Sequence, residues 1–193
     1  MTIKIALCGK IRSGKDSVAD VLQDRYGFER FKFSQGIWDV LETAWNIKDE
    51  PHTEKPRKML QDVGQKLREV DEMVWINYTL YQVAEIDGIR DVVITDLRQP
   101  NEYKALKDDG FYIVRINADT DERIARANAQ GDIFEAQDLF HETESHVDGF
   151  EVDFEIHNDG TFKELNQQID EVYQEIYKVE KGFEGGSVDV CGI

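Results

Sequence analysis

Cysteine, proline, long apolar runs and positive charge are all scarce in this sequence, and each shortage narrows what the protein can be. Only two cysteines, Cys8 and Cys191, occur in 193 residues, too few for a disulfide framework. Cys8 ends an apolar stretch and reads as a small buried hydrophobe, so a reducing cytoplasm is the expected setting. With 3 prolines, 40% hydrophobic and 33% charged residues, the composition is that of an ordinary globular domain. No run approaches the roughly 20 apolar residues needed to span a bilayer. The opening MTIKIALCGK reads as a strand and carries no leader cleavage pattern, so neither membrane insertion nor secretion is expected. Lys and Arg number 23 against 40 Asp and Glu, a net charge of −17. Such a surface repels nucleic acid and anionic membranes at long range, yet a locally basic cleft can still hold a small phosphate ester.

What is present alternates between strand-like and helix-like segments. Ile3–Cys8 is a short continuous apolar run, as expected of a buried parallel strand. Val18, Val21, Leu22 and Tyr26 follow at helical spacing, with Gly27 as a stop. Phe31–Phe33 reads as a short second strand, and Ile37, Val40, Leu41, Ala44 and Trp45 as one helix face. Pro56 suits a helix start before Leu60, Val63 and Leu67, and a further helix is predicted over Met73–Ile86. Asp91–Asp96 and Phe111–Asn117 are strands with a short helix, Asn101–Lys107, between them. A helix begins at Asp121, Val152–Asn158 is a last strand, and Phe162, Leu165, Ile169, Val172 and Ile176 mark a final helix. Beyond Lys181 the chain reads as a loose tail. Alternation of this kind predicts an α/β fold: a parallel sheet with helices on both faces and ligands at the edge where the strands end.

Three polar features fall just after predicted strands and so on that edge. The first is GKIRSGKDS, Gly9 to Ser17. It matches the phosphate-binding pattern of glycine, four residues, glycine, lysine and hydroxyl, except that Asp16 stands where the hydroxyl is usual and Ser17 comes one place late. Glycines let the backbone curl until its N–H groups face phosphate oxygens, the following helix offers its positive end, and Lys15 adds a charge. Asp16 is either a hard-oxygen ligand for Mg²⁺, directly or through water and with Ser17 beside it, or a first-turn residue favoured by the helix dipole.

The second feature is ITDLRQPNE, with Asp96 at a strand tip, placed to hold a metal's hydration shell or orient an acceptor. Arg98 could reach a phosphate, while Asn101 and Glu102 read as helix-start residues. The third is HNDGTFKEL, where Asn158, Asp159 and Gly160 could form an adenine-facing turn; a plain turn with Thr161 as N-cap is the simpler reading, and the two are compatible. Between these lie Arg57 and Arg68, which are a phosphate clamp or solvated helix charge. Trp75 either stacks on a base or belongs to the core. Arg123 and Arg126 could close over a transferring phosphate as a lid, since no Lys or Arg occurs from Ala127 to Phe162. HETESH, 141–146, lacks nearby cysteine and reads as an acidic segment, not a zinc site.

GKIRSGKDSVAD, LQDVGQKLRE with Trp75 after it, TDLRQPNE and HNDGTFKEL together resemble the bacteriophage deoxynucleoside monophosphate kinases, P-loop relatives of adenylate kinase, from Ile3 to about Tyr177. The loop alone is also similar to that of animal-type phosphomevalonate kinases. The resemblance implies a three-layer P-loop kinase fold with five parallel strands in the order 2-3-1-4-5. It implies one domain over 1–181, with an acceptor-binding helical region at about 34–88, a lid at about 119–148, and a flexible tail at 182–193. It implies ATP as donor, Mg²⁺ as cofactor and a deoxynucleoside monophosphate as acceptor, in the cytoplasm of a host cell. Carried over by motif, Gly9, Lys10, Ile11, Arg12, Ser13, Gly14, Lys15, Asp16 and Ser17 would hold the donor phosphates, and Asn158, Asp159 and Gly160 the adenine. Asp96 would sit near the metal with Asp16 and Ser17, and Arg57, Arg68 and Arg98 would bind the acceptor phosphate. Arg123 and Arg126 would be the lid arginines, acting with Lys15 and Asp96 in transfer. Two other readings stand beside this one: a kinase of another small phosphate ester, or a nucleotide-dependent switch. A homodimer is left open.

Overall fold

Successive strand side chains point to opposite faces, so a strand that is apolar throughout needs cover on both. The computed structural model, which describes residues 2–48, 56–129 and 146–182, supplies that cover. Strands β1 (Lys4–Cys8), β2 (Glu29–Phe31), β3 (Val92–Leu97), β4 (Tyr112–Asn117) and β5 (Phe154–His157) form one parallel sheet in the order β2-β3-β1-β4-β5. Around it lie α1 (Lys15–Tyr26), α2 (Gln35–Trp45), α3 (Arg57–Val70), α4 (Val74–Ile86), α5 (Pro100–Asp108), α6 (Thr120–Ala129) and α7 (Phe162–Lys181). Ile5, Leu7, Val93, Val114 and Ile156 face one layer, packed on Val18 and Leu22 of α1 and Leu165 and Ile169 of α7. Ala6, Cys8, Val92, Ile94 and Ile113 face the other, packed on Ile76 and Val83 of α4 and Leu106 of α5. This is the predicted three-layer α/β fold and strand order.

Three expectations shift. The second strand is Glu29–Phe31, not Phe31–Phe33, because the chain turns at Phe33 to give its N–H to Asp96. On α2 the buried face is Gly36, Ile37, Trp38 and Leu41; Ala44 is exposed and Trp45 is 53% exposed, since the last turn runs past the core before the left-handed Asn46 ends it. Phe162, at the first position of α7, is 64% exposed, outside the stripe that Leu165, Ile169 and Ile176 form. The HETESH segment up to residue 145, the middle of the expected lid (130–145) and the tail from 183 fall outside the described residues. Among those described, no helix is long and apolar enough to cross a membrane.

The sheet carries one irregularity at the functional edge. From Ala6↔Ile94 to Cys8↔Leu97, β1 advances two residues and β3 three. The shift falls at Thr95 and Asp96, the two strand-tip residues that line the cleft described below.

Candidate active site

A cleft of about 840 Å³ opens at the C-terminal edge of the sheet. Gly14, Lys15, Asp16 and Ser17 form one wall, the strand-tip residues Thr95 and Asp96 the floor, and Arg68, Arg98 and Glu102 the far side. The loop wall is backbone brought very close to its neighbours. Gly9 and Gly14 have φ of 149° and 101°, and a Cβ on them would come within 2.4 Å of the Ile116 carbonyl oxygen and 2.1 Å of Asn158 Nδ2. Only glycine fits either position. Lys15 is buried and donates from Nζ to the carbonyls of Gly9, at 2.6 Å, and Lys10, at 3.0 Å. Its charge is therefore held at the mouth of the loop by groups an anion can outbid.

A side-chain latch holds the loop from behind. Asn158 Nδ2 donates to the Ser13 carbonyl at 2.9 Å, and Arg126 Nη2 donates to the Asn158 carbonyl at 2.6 Å. The same guanidinium reaches the Arg12 carbonyl at 3.5 Å. Asn158 is thus a buckle between β5 and the phosphate loop. Asp159 accepts from the Asp119 N–H at 2.6 Å, and a Cβ on Gly160 would lie 2.4 Å from Glu164 Oε2. Thr161 is the N-cap of α7, as the plain-turn reading predicts.

The arginines separate. Arg126 lines the main cleft, whereas the buried Arg123 lines a second cavity of about 280 Å³ behind the loop, with Lys10, Asp119, His157 and Asp159. Arg68 and Arg98 share the main cleft. Arg57 opens α3, and its side chain lies outside the described residues. Trp75 takes the core alternative: it is buried, donates from Nε1 to the Gly64 carbonyl at 3.1 Å, and packs over Gly36, tying α3 to α2.

The carboxylates are arranged differently from one another. Asp96 accepts from the N–H groups of Phe33, at 2.8 Å, and Ser34, at 3.0 Å, so the strand tip anchors the entry to α2. Asp16 is 77% exposed and paired with Arg30. Glu102 is only 5% exposed. Its Oε2 accepts from the N–H groups of Arg98 and Gln99, each at 2.9 Å, completing a capping box with Gln99. Burial pushes its carboxyl up to about 7, with Asp96 adding to the rise and the two N–H groups and Arg68 opposing it. The helix-start reading of Glu102 holds, but its burial against the cleft was not foreseen. Thr95 was missed altogether: its Oγ1 is buried without a hydrogen-bond partner. A hydroxyl residue interrupting the apolar run VVITD was the available signal.

The donor set suits a bound polyphosphate and a hard cation. Ser13 Oγ is buried with no partner inside the loop, and Lys15 and the loop's glycine backbone surround the same space. Asp16, Ser17 and Asp96 offer oxygen ligands at the cleft. Among the described residues no cluster of three or more His, Cys, Asp or Glu could hold a metal. A cation here would share its shell with phosphate and water, as Mg²⁺ does.

Solved structures share the architecture. TT1252 from Thermus thermophilus matches with a TM-score of 0.58 and 16% identity, over 90% of this chain and 97% of that one. Dephospho-CoA kinase from Campylobacter jejuni gives 0.55 and 17%, over 93% and 100%. Shikimate kinase from Acinetobacter baumannii, in complex with shikimate, gives 0.55 and 15%, over 94% of each. At these identities the likeness is one of fold, the P-loop kinase fold. No curated protein matches the sequence. The family described as AAA domain matches residues 5–144, a span that takes in the phosphate loop, the bulged tip of β3 and the arginines that line the cleft, and the chain belongs to that family.

Proposed function

We propose that the protein is an ATP- and Mg²⁺-dependent kinase that phosphorylates a deoxynucleoside monophosphate. The observation that carries this reading is a single cleft whose cations come both from the phosphate loop, at Arg12 and Lys15, and from elsewhere in the chain, at Lys32, Arg68, Arg98 and Arg126. A nucleotide switch needs one phosphate site. A second set of guanidinium groups across the same space suits a second phosphate-bearing ligand.

In this reading Gly9 to Ser17 hold the donor phosphates and the turn at Asn158 to Gly160 backs the adenine. Lys15 meets the terminal phosphates, exchanging two carbonyl oxygens for phosphate oxygens. Asp16, Ser17 and Asp96 would hold Mg²⁺, which when bound supplies charge neutralisation between the phosphates. Arg57, Arg68 and Arg98 orient the acceptor phosphate for in-line attack. An anionic phosphate oxygen needs no dedicated base, so catalysis is positioning and charge balance. Arg126 reaches the transferring group from its anchored position, and Arg123 acts from the second cavity. The catalytic unit is taken as residues 1–181.

A coupled ADP-release assay with Mg·ATP tests this against dTMP, dGMP, dCMP, dAMP, dUMP, their ribose forms and phosphomevalonate. Stimulation by deoxynucleotides is the expected result. Stimulation by phosphomevalonate alone would move the acceptor to another phosphate ester. ATP binding with no stimulated turnover would replace the kinase with a switch.

A further inference from the structure

Asp16 places a carboxylate in the first turn of α1, where the helix meets the anion its loop is built to hold. A negative charge there opposes a bound polyphosphate unless something cancels it. On β2, Arg30 faces it: Nη2 pairs with Asp16 and Nη1 with Asp20 Oδ1 at 3.0 Å. Asp16 and Asp20 stand one turn apart on α1, so the planar fork spans both, one nitrogen to each carboxylate. Arg30 is only 17% exposed whereas Asp16 is 77% exposed, so the arginine is the fixed partner and the carboxylate the movable one. The Asp96 charge also acts on Arg30, so the guanidinium lies in the field of both cleft aspartates. Lys32 Nζ approaches Asp16 at 3.8 Å from a more exposed position.

We infer that Arg30 is the counter-charge that allows this phosphate loop to carry a carboxylate where a hydroxyl is usual. The inference rests on the nucleotide-binding reading above. Before nucleotide arrives, Arg30 neutralises Asp16 and keeps the loop's potential positive. When a cation enters with the nucleotide, Asp16 can turn toward it while Arg30 stays held by Asp20. Arg30 is thus a positioning residue.

Calorimetric titration of ADP in EDTA reads this charge balance without metal and without turnover. Arg30→Gln is expected to weaken ADP binding about tenfold, and Asp16→Asn to strengthen it by a similar factor. The double variant should return to within about threefold of wild type, because the two changes cancel. Arg30→Gln binding like wild type would overturn the inference. So would a double variant as weak as Arg30→Gln, which would make Arg30 a fold tie or a direct ligand contact. If Arg30→Gln does not fold, by circular dichroism, Asp16→Asn decides: tighter binding supports the inference and unchanged binding overturns it. A wild-type protein that binds no ADP would overturn the nucleotide reading as well, which separates the two failures.

Discussion

The two walls of the cleft are built by different means. The loop wall is backbone, clamped by its own Lys15 on the Gly9 and Lys10 carbonyls and, from other segments, by Asn158 on Ser13 and Arg126 on Asn158 and Arg12. The far wall is a set of charged side chains, Arg68, Arg98 and Glu102, held by α3 and the start of α5. A clamped backbone recognises what all phosphates share. Side chains can be exchanged one at a time, and that is where acceptor selectivity can be set. The capping boxes make the same point. Glu164, at the start of α7, closes a box with Thr161 in the open, and the Thr161 hydrogen bonds pull its carboxyl down. Glu102 closes the equivalent box against the cleft, and burial pushes it up.

Removing the loop's charge should produce the largest effect. Lys15→Ala is expected to lower turnover about 10³-fold with the fold intact, as thermal melts would report; near-normal turnover would erase the distinction between the walls. Next comes Glu102. Its folded pKa lies near 7, above the ordinary carboxylate value of 4.5. Between those values the folded state holds a proton that the unfolded chain releases, so this group's contribution is full below pH 4.5 and is lost as pH rises toward 7. Glu102→Gln should therefore gain on wild type by on the order of 3 kcal/mol across that window, read by urea unfolding at several pH values. A constant difference between the two proteins would show that the carboxyl titrates normally.

Arg68→Ala should raise the acceptor KM by about tenfold to a hundredfold, as loss of a charged hydrogen bond does, and leave the ATP KM nearly unchanged. Equal losses for both substrates would mean that the walls are not independent. The smallest change is expected at Glu164→Gln, a loss of stability barely resolved by urea unfolding and with no effect on either KM. A pH-dependent gain there like that of Glu102→Gln would sink the contrast between the boxes.

Much of this was legible beforehand, for reasons particular residues make plain. Continuous apolar runs such as Ile5–Cys8 and Val92–Ile94 demand cover on both faces, so the parallel sheet and its helical layers could be read directly. Gly9, Gly14 and Lys15 sit at a spacing that only a phosphate loop explains well. Less could be read where a role depends on a neighbour far along the chain. Nothing local distinguishes Arg126, fastened to the loop, from Arg123, turned to the second cavity three residues earlier. Trp75 and Arg68 both lie on amphipathic stretches, and only packing sends one into the core and the other into the cleft.

By itself the sequence determined the order of strands and helices, the glycine turn, the capping residues and the excess of negative charge. These follow from backbone sterics, side-chain periodicity and composition, which act within a few residues. The tertiary structure alone decided that β3 bulges where Thr95 and Asp96 meet the cleft, that Glu102 is buried beside Arg68, and that Arg30 answers Asp16. Each depends on groups brought together from separate segments, because burial and Coulomb interaction depend on distance through space, not along the chain.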